Sequence, residues 1–282
     1  MNALCSECIK GTVHKGDPLG VEEVIHGLNT YVIGNRTDPK GIIVVYSDVF
    51  GLPLPNNKLI ADAYAKSGEW LVYLPDFFQG DPVPLKLADI VIPVDASKQS
   101  TLSKYTGILA NAPTFFRWLS RHKVEPTNKV CLDFLQGLRR ATPPSQKIGI
   151  VGFCWGGKYA IRAGLKSNMI EMDGAKVPLV DAVVVLHPSR LAIPGDVQGL
   201  IVPVSYGWGQ EDSGVKIEQK SQVEQVERKA KEEGETVPEM EHKIYKPGRH
   251  GFAVRGNPDD PQERKCLEES VTQVLDWLGR WL

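Results

Sequence analysis

The sequence predicts an α/β fold in one domain over residues 1–282, a mostly parallel central sheet with helices on both faces. Three observations predict it. Continuous β-branched runs such as Gly41-Ile42-Ile43-Val44-Val45-Tyr46 suit strands buried on both sides. Stretches such as Asp260 to Leu282 repeat apolar residues at helical spacing. The two kinds of segment alternate along the chain, as crossover connections between parallel strands require. At 282 residues the chain can bury the large core such a fold needs.

Taken in order, residues 9–20, with Gly11, Gly16, Pro18 and Gly20, read as a leading loop. Short strands over Val21 to His26 and Thr30 to Ile33 follow, turning through Gly27-Leu28-Asn29. The run Gly41 to Tyr46 ends in a loop, Ser47-Asp48-Val49-Phe50-Gly51. Asn56 to Ser67, with Leu59, Ile60, Ala63 and Tyr64 on one side, is the first crossover helix. Trp70 to Leu74 is the next strand. The proline-punctuated segment 80–113 shows little periodicity and is expected to be an irregular lid or binding loop. Helices are expected over Thr114 to His122 and Asn128 to Arg140, a strand from Ile148, and a helix from about Lys158 to Leu165. Strands follow over Asp181 to Leu186, Ile201 to Tyr206 and Glu241 to Tyr245, with a charged, solvated helix at Lys216 to Glu233 and an amphipathic one from Asp260.

Composition excludes several classes of function. The 33 basic and 34 acidic residues are well mixed, so no basic face argues for nucleic acid or an anionic membrane as partner. No apolar run approaches the ~20 residues of a membrane span, and the first residues lack the pattern of a signal peptide. A cytoplasmic location is expected, as a monomer or homodimer. The five cysteines are scattered, which suits free thiols in a reducing compartment. Cys5-x-x-Cys8 has no second pair or close histidine pair to complete a metal site, so neither metal nor cofactor is expected.

The chemistry centres on Ile148-Gly149-Ile150-Val151-Gly152-Phe153-Cys154-Trp155-Gly156-Gly157. Gly-x-Cys-x-Gly after a buried strand is the cysteine form of a nucleophile elbow, a strained strand-to-helix turn that exposes the sulfur beside free helix N–H groups. The competing reading is an inert buried cysteine. Loops later in the chain decide between them. In an open parallel sheet, reactive residues sit beyond the carboxyl ends of strands. Gly209-Gln210-Glu211-Asp212 and Arg249-His250-Gly251-Phe252 each follow a strand, in the order nucleophile, acid, histidine. Glu211 competes with Asp212 as the acid. His187, in Leu186-His187-Pro188-Ser189 after another strand, is a substrate-side candidate, while His14, His26, His122 and His242 read as structural or solvated. Phe77, Phe78, Trp155, Tyr206 and Trp208 are aromatic candidates for an apolar substrate pocket, or plain core.

Together, Gly152-Phe153-Cys154-Trp155-Gly156-Gly157, Gly209-x-x-Asp212, His250-Gly251-Phe252, Asp48-Val49-Phe50-Gly51 and Pro75-Asp76-Phe77-Phe78-Gln79-Gly80 resemble the dienelactone hydrolase family, particularly its fungal members. The resemblance covers essentially the whole chain. It implies the α/β-hydrolase fold and a small-molecule ester or lactone as substrate. It also implies a cysteine nucleophile, Cys154, with His250 as base and acid and Asp212 orienting the histidine, acting through a thioester. Oxyanion support is expected from the backbone of Val49 and Trp155, with Asp48 supporting the thiol or the loop. Bacterial members carry glutamate at the Asp48 position and two substrate-binding arginines. Gly80 and Val254 stand where those arginines would be, with Arg255 one step further as the candidate substitute. The carboxylated dienelactone itself is therefore not the expected substrate. An acyl transferase or cyclase on the same fold in secondary metabolism is the alternative activity. A catalytically inactive scaffold would require a displaced triad member.

Overall fold

The structure is a computed structural model that describes residues 16–95 and 100–282. The pair Cys5 and Cys8 and the first part of the leading loop lie outside the described residues. Strands β1 (Val21–Ile25) and β2 (Leu28–Gly34) form an antiparallel hairpin in which Ile25 pairs with Leu28. Its turn is therefore His26-Gly27, one residue earlier than the sequence suggested, and both residues have positive φ, 47° and 84°. A two-residue hairpin whose twist matches its strands requires that conformation. Leu28 and Asn29 are thereby freed to join the strand.

β2 continues the sheet through antiparallel pairing with β4 (Trp70–Pro75), which lies parallel to β3 (Gly41–Tyr46). Beyond β3 come β5 (Ile148–Phe153), β8 (Ala182–Leu186), β9 (Val204–Gly209) and β10 (Met240–Tyr245), all parallel. The eight-stranded order is β1-β2-β4-β3-β5-β8-β9-β10. Every residue of β3, β5, β8 and β9 is buried, as continuous apolar runs covered on both faces must be. A separate small hairpin, β6 (Ile170–Met172) with β7 (Ala175–Val177), was not anticipated, because each strand is only three residues long.

The helices are α1 (Pro55–Ala65), α2 (Ala88–Val91), α3 (Thr101–Arg121), α4 (Val124–Ala141), α5 (Trp155–Ala163), α6 (Glu218–Glu232), α7 (Phe252–Arg255) and α8 (Pro261–Trp281). Gly149 and Gly152 show how closely they cover the sheet. A Cβ on Gly149 would lie 2.7 Å from Leu278 of α8, and one on Gly152 would lie 2.7 Å from Ala160 of α5. The two positions have opposite parity along β5, so α5 and α8 pack on opposite faces. Helix α4 joins α5, and α1 joins α8. Asp260 caps α8, its carboxylate accepting from the Gln262 and Glu263 N–H groups at 2.9 Å, with Pro261 in the first turn. Cys131 in α4 and Cys266 in α8 are buried on the core-facing sides of their helices.

The expectation for 80–113 is corrected. A 3₁₀ turn (Leu85–Leu87), α2 and most of α3 occupy it, and Thr114 to His122 covers only the end of α3. Pro113 sits inside α3, where it deprives the Leu109 carbonyl of its donor. Leu109 and Pro113 are both exposed, so water can take that carbonyl and the helix continues. Among the described residues no helix is long and apolar enough to cross a membrane.

Candidate active site

β5 ends at Phe153 and α5 begins at Trp155, so the chain reverses at Cys154 alone, which takes φ 49° and ψ −112°. A positive φ is strained for a residue with a Cβ, and the surroundings must enforce it. The Cys154 N–H donates to the Leu186 carbonyl at 3.2 Å, and its own carbonyl accepts from Gly157 N–H at 3.2 Å and Ser189 N–H at 2.8 Å. The flanking glycines are sterically required. A Cβ on Gly156 would sit 2.3 Å from the Tyr46 carbonyl oxygen, and one on Gly157 would sit 2.8 Å from Pro188. The helix therefore starts directly after the cysteine rather than near Lys158.

The loops after β9 and β10 bring the other two residues to this turn. His250 Nε2 lies 3.1 Å from the Cys154 sulfur, and His250 Nδ1 lies 2.9 and 3.0 Å from the two Asp212 carboxylate oxygens. Asp212 Oδ1 also accepts from the N–H groups of Gly214 at 2.8 Å and Val215 at 2.7 Å, which locks the carboxylate in place. Its side chain is fully buried, whereas Glu211 is exposed, so geometry separates the two acids that adjacency in sequence could not. A carboxylate accepts only, so Nδ1 carries its proton toward Asp212 and Nε2 faces the sulfur. Burial alone would hold the His250 ring neutral. The neighbouring Cys154 sulfur and the Asp212 hydrogen bond outweigh it and raise the pKa to about 10.

Asp48 is buried, and Oδ1 accepts from the Phe50 N–H and from Asn57 Nδ2, both at 3.0 Å. Asn57 Nδ2 also reaches the Gly51 carbonyl at 2.9 Å. Asp48 is thus the hub of the loop that carries Val49, and burial pushes its carboxyl pKa up. Among the described residues neither the Val49 nor the Trp155 N–H has an acceptor.

The substrate-side candidates lie differently. Phe77 packs into the core against Tyr46 and Phe134, ring centroids 4.2 and 5.8 Å away, while its neighbour Phe78 turns to Trp155 at 4.5 Å. Tyr206 packs against both Trp208 and His242, ring centroids 5.6 and 4.7 Å away, and lines a cavity of about 400 Å³ beneath α6, a cavity that none of Cys154, Asp212 and His250 lines. Arg255 is buried, with Nε on the Ile92 carbonyl at 2.7 Å and Nη2 on Asp89 at 2.6 Å, so its guanidinium fastens the segment around α2 to the histidine loop. Arg249 adds a second tie, to the Val94 carbonyl at 2.6 Å. His187 is fully enclosed, its ring edge-to-face with His250 at 5.3 Å, and both nitrogens lack partners among the described residues. Burial and the nearby His250 charge push its pKa well below the ordinary value. Ser189 was missed. Its hydroxyl lies 3.6 Å from the Cys154 sulfur, and a serine two residues after a strand-end histidine gives no sequence signal of that contact.

Comparison with known proteins follows the same lines. The sequence profile of the dienelactone hydrolase family matches residues 28–282. Hydrolase pyvD of Aspergillus violaceofuscus is 28% identical over 278 residues, 98% of this chain and 96% of that protein. Dienlactone hydrolase 1 of Gibberella moniliformis is 26% identical, covering 98% and 93%, and the carboxymethylenebutenolidase homolog of Mus musculus is 26% identical, covering 94% and 92%. Among solved structures, a putative dienelactone hydrolase from Klebsiella pneumoniae superposes with TM-score 0.59 at 17% identity, covering 93% of this chain and 99% of its own. The dienelactone hydrolase of Anabaena variabilis gives 0.57 at 14%, covering 95% and 100%. The shared architecture is the α/β-hydrolase fold. With nearly its whole length inside the family profile, and relatives of that type matching end to end, this chain belongs to the dienelactone hydrolase family and is a hydrolase of that kind.

Proposed function

We propose that the chain hydrolyses a carboxylic ester or lactone with Cys154 as nucleophile, His250 as general base and acid, and Asp212 orienting the His250 ring. The observation that carries this reading is the unbroken contact from sulfur to imidazole to carboxylate, at 3.1 and 2.9 Å. A thiol attacks as its thiolate. An imidazole that keeps its proton to about pH 10 beside that sulfur favours a thiolate–imidazolium pair in the resting site.

The thiolate attacks the carbonyl carbon, forming the C–S bond and moving an electron pair onto the carbonyl oxygen. The free N–H groups of Val49 and Trp155 are the donors for that oxyanion. Losing one such donor typically costs about 2.7–4 kcal/mol of transition-state stabilisation. Asp48 and Asn57 therefore matter by holding the Val49 loop. When the intermediate collapses, the C–O bond breaks, His250 gives its proton to the leaving oxygen, and a thioester remains. His250 then takes a proton from water as the water attacks the thioester. The second collapse expels the thiolate and releases the acid. With a lactone the leaving oxygen stays tethered, and the product is a single hydroxy acid.

The test is Cys154→Ala against wild type on a chromogenic aryl acetate, with rapid-quench intact mass of the wild type. We expect the variant to lose on the order of 10³-fold or more in kcat, and the acyl group to map to Cys154. Wild-type turnover by Cys154→Ala would overturn the assignment.

A further inference from the structure

A cavity of about 260 Å³ lies one residue from the nucleophile, between the end of α3 with the start of α4, the first turns of α5 and the loop after β8; Trp155 and Ser189 line it, while Cys154, Asp212 and His250 do not. Ser189 links it to the chemistry, since its hydroxyl is 3.6 Å from the Cys154 sulfur and its N–H holds the Cys154 carbonyl. Trp155 and Tyr159, with ring centroids 4.5 Å apart, give it an aromatic wall.

Its charge is one-sided. His122, Lys123, Lys158 and Arg190 line it, and neither Asp nor Glu does. Two of the four are already engaged. Lys158 is buried in an ion pair with Asp196 at 3.0 Å, and His122 meets Asp81 at 3.0 Å, an acid it shares with Arg121. Lys123 and Arg190 are exposed at the rim, and among the described residues neither side chain has an ion pair or hydrogen bond. The main chain of Arg190 is also held, with φ 57° and its carbonyl accepting from Lys158 Nζ at 3.1 Å, so the guanidinium projects from a fixed point. Unpaired surface cations are ordinary by themselves. Two of them facing one cavity with no compensating carboxylate, next to a reactive sulfur, form a complementary surface for an anion.

We propose that this cavity is an anion subsite for the substrate. Lys123 and Arg190 receive a negatively charged group, a carboxylate or an ionised phenol or enol, carried at the end of the ester or lactone remote from the scissile carbonyl. Trp155 and Tyr159 take the flat apolar body between. Arginine suits the role because its planar fork binds a carboxylate through two parallel hydrogen bonds. The volume falls below the roughly 300–1,000 Å³ of pockets for drug-sized ligands, which selects small, compact esters. The inference rests on Cys154 being the nucleophile, since that makes the neighbouring cavity a substrate site.

The test compares kcat/KM for para-acetoxybenzoate with that for phenyl acetate, which share the acetyl group and differ by the carboxylate. Wild type should favour the anion, and the preference should shrink as salt is raised. In the double variant Lys123→Gln, Arg190→Gln the ratio should fall about tenfold, the combined effect of two partly screened charge contacts; Arg190→Glu should lower it further. An unchanged ratio in the double variant would overturn the subsite. A second measurement separates this result from the mechanism. Calorimetry of Cys154→Ala with para-acetamidobenzoate and with its neutral carboxamide reads binding without turnover. Tighter binding of the carboxylate, lost in the added double variant, supports the subsite; equal affinity for the two overturns it. Failure of the nucleophile assignment would instead appear as ester turnover surviving in Cys154→Ala.

Discussion

An unfolded histidine releases its proton near pH 6.5, whereas His250 holds it until about pH 10 because sulfur and carboxylate outweigh the cost of burial. Above about pH 10 the leaving oxygen loses its proton donor, so kcat/KM for an aryl ester should fall there; an alkaline limb near pH 7 would contradict this. The same shift links to stability. A proton bound more tightly in the folded state stabilises it fully below the unfolded pKa, and that contribution disappears as pH rises through the folded one. Urea midpoints should therefore fall in wild type as pH rises toward about 10, and less so in His250→Gln. Asp212→Asn should retain the fold and lose on the order of 10³–10⁴ in kcat, because an amide can present N–H to Nδ1 and place the imidazole proton on the wrong nitrogen. That Cys154, Asp212 and His250 come together was legible in the chain because each residue follows its own strand. The choice between Glu211 and Asp212, or between Phe77 and Phe78, was not, since neighbouring residues point to opposite sides and only packing says which side is the site.

At the scale of elements, the elbow depends on α5 being pressed against the end of β3. A Cβ on Gly156 would meet two main-chain oxygens, those of Tyr46 and Ser47, at 2.3 and 2.5 Å, and backbone cannot step aside as a side chain can. Gly156→Ala should cost about 3 kcal/mol in denaturant unfolding, at the upper end of overpacking, and should abolish turnover by shifting the Trp155 N–H. Among the α3 side chains that the structure describes, Trp118 alone is buried; it packs on Phe78 at 5.4 Å and donates to the Asp81 carbonyl at 2.8 Å. Trp118→Ala should cost about 3–5 kcal/mol and raise KM for bulky esters. The same helix explains where sequence reading fell short. The strands declare themselves through β-branched runs, but the large apolar residues of α3, such as Leu102, Tyr105, Leu109 and Phe116, face outward, and Gly107 and Pro113 interrupt its pattern. Periodicity signals a helix only when its apolar face packs on a core. At β9 the apolar run begins at Ile201, yet Pro203 lacks the N–H a ladder needs, and pairing starts at Val204.

Across the whole molecule, distant segments are tied by a few buried charges. Asp196, 1% exposed, receives Lys158 and Arg162 from α5 and the N–H of Ala192. Burial opposes ionisation, but these donors prevail and lower its pKa, so its stabilisation is present above the unfolded carboxylate pKa and lost as pH falls through the folded one. Asp196→Ala leaves two cations facing each other and should cost about 3–5 kcal/mol, measured by thermal unfolding at neutral pH. The placement of thiols across the fold has a practical corollary. Burial raises the pKa of Cys131 and of Cys266, which keeps both protonated and inert, while the sulfur of Cys154 stands against an imidazolium. A haloacetamide applied briefly at pH 6 should therefore alkylate Cys154 ahead of those two. Peptide mapping would then turn a simple titrant into a count of competent molecules in any preparation.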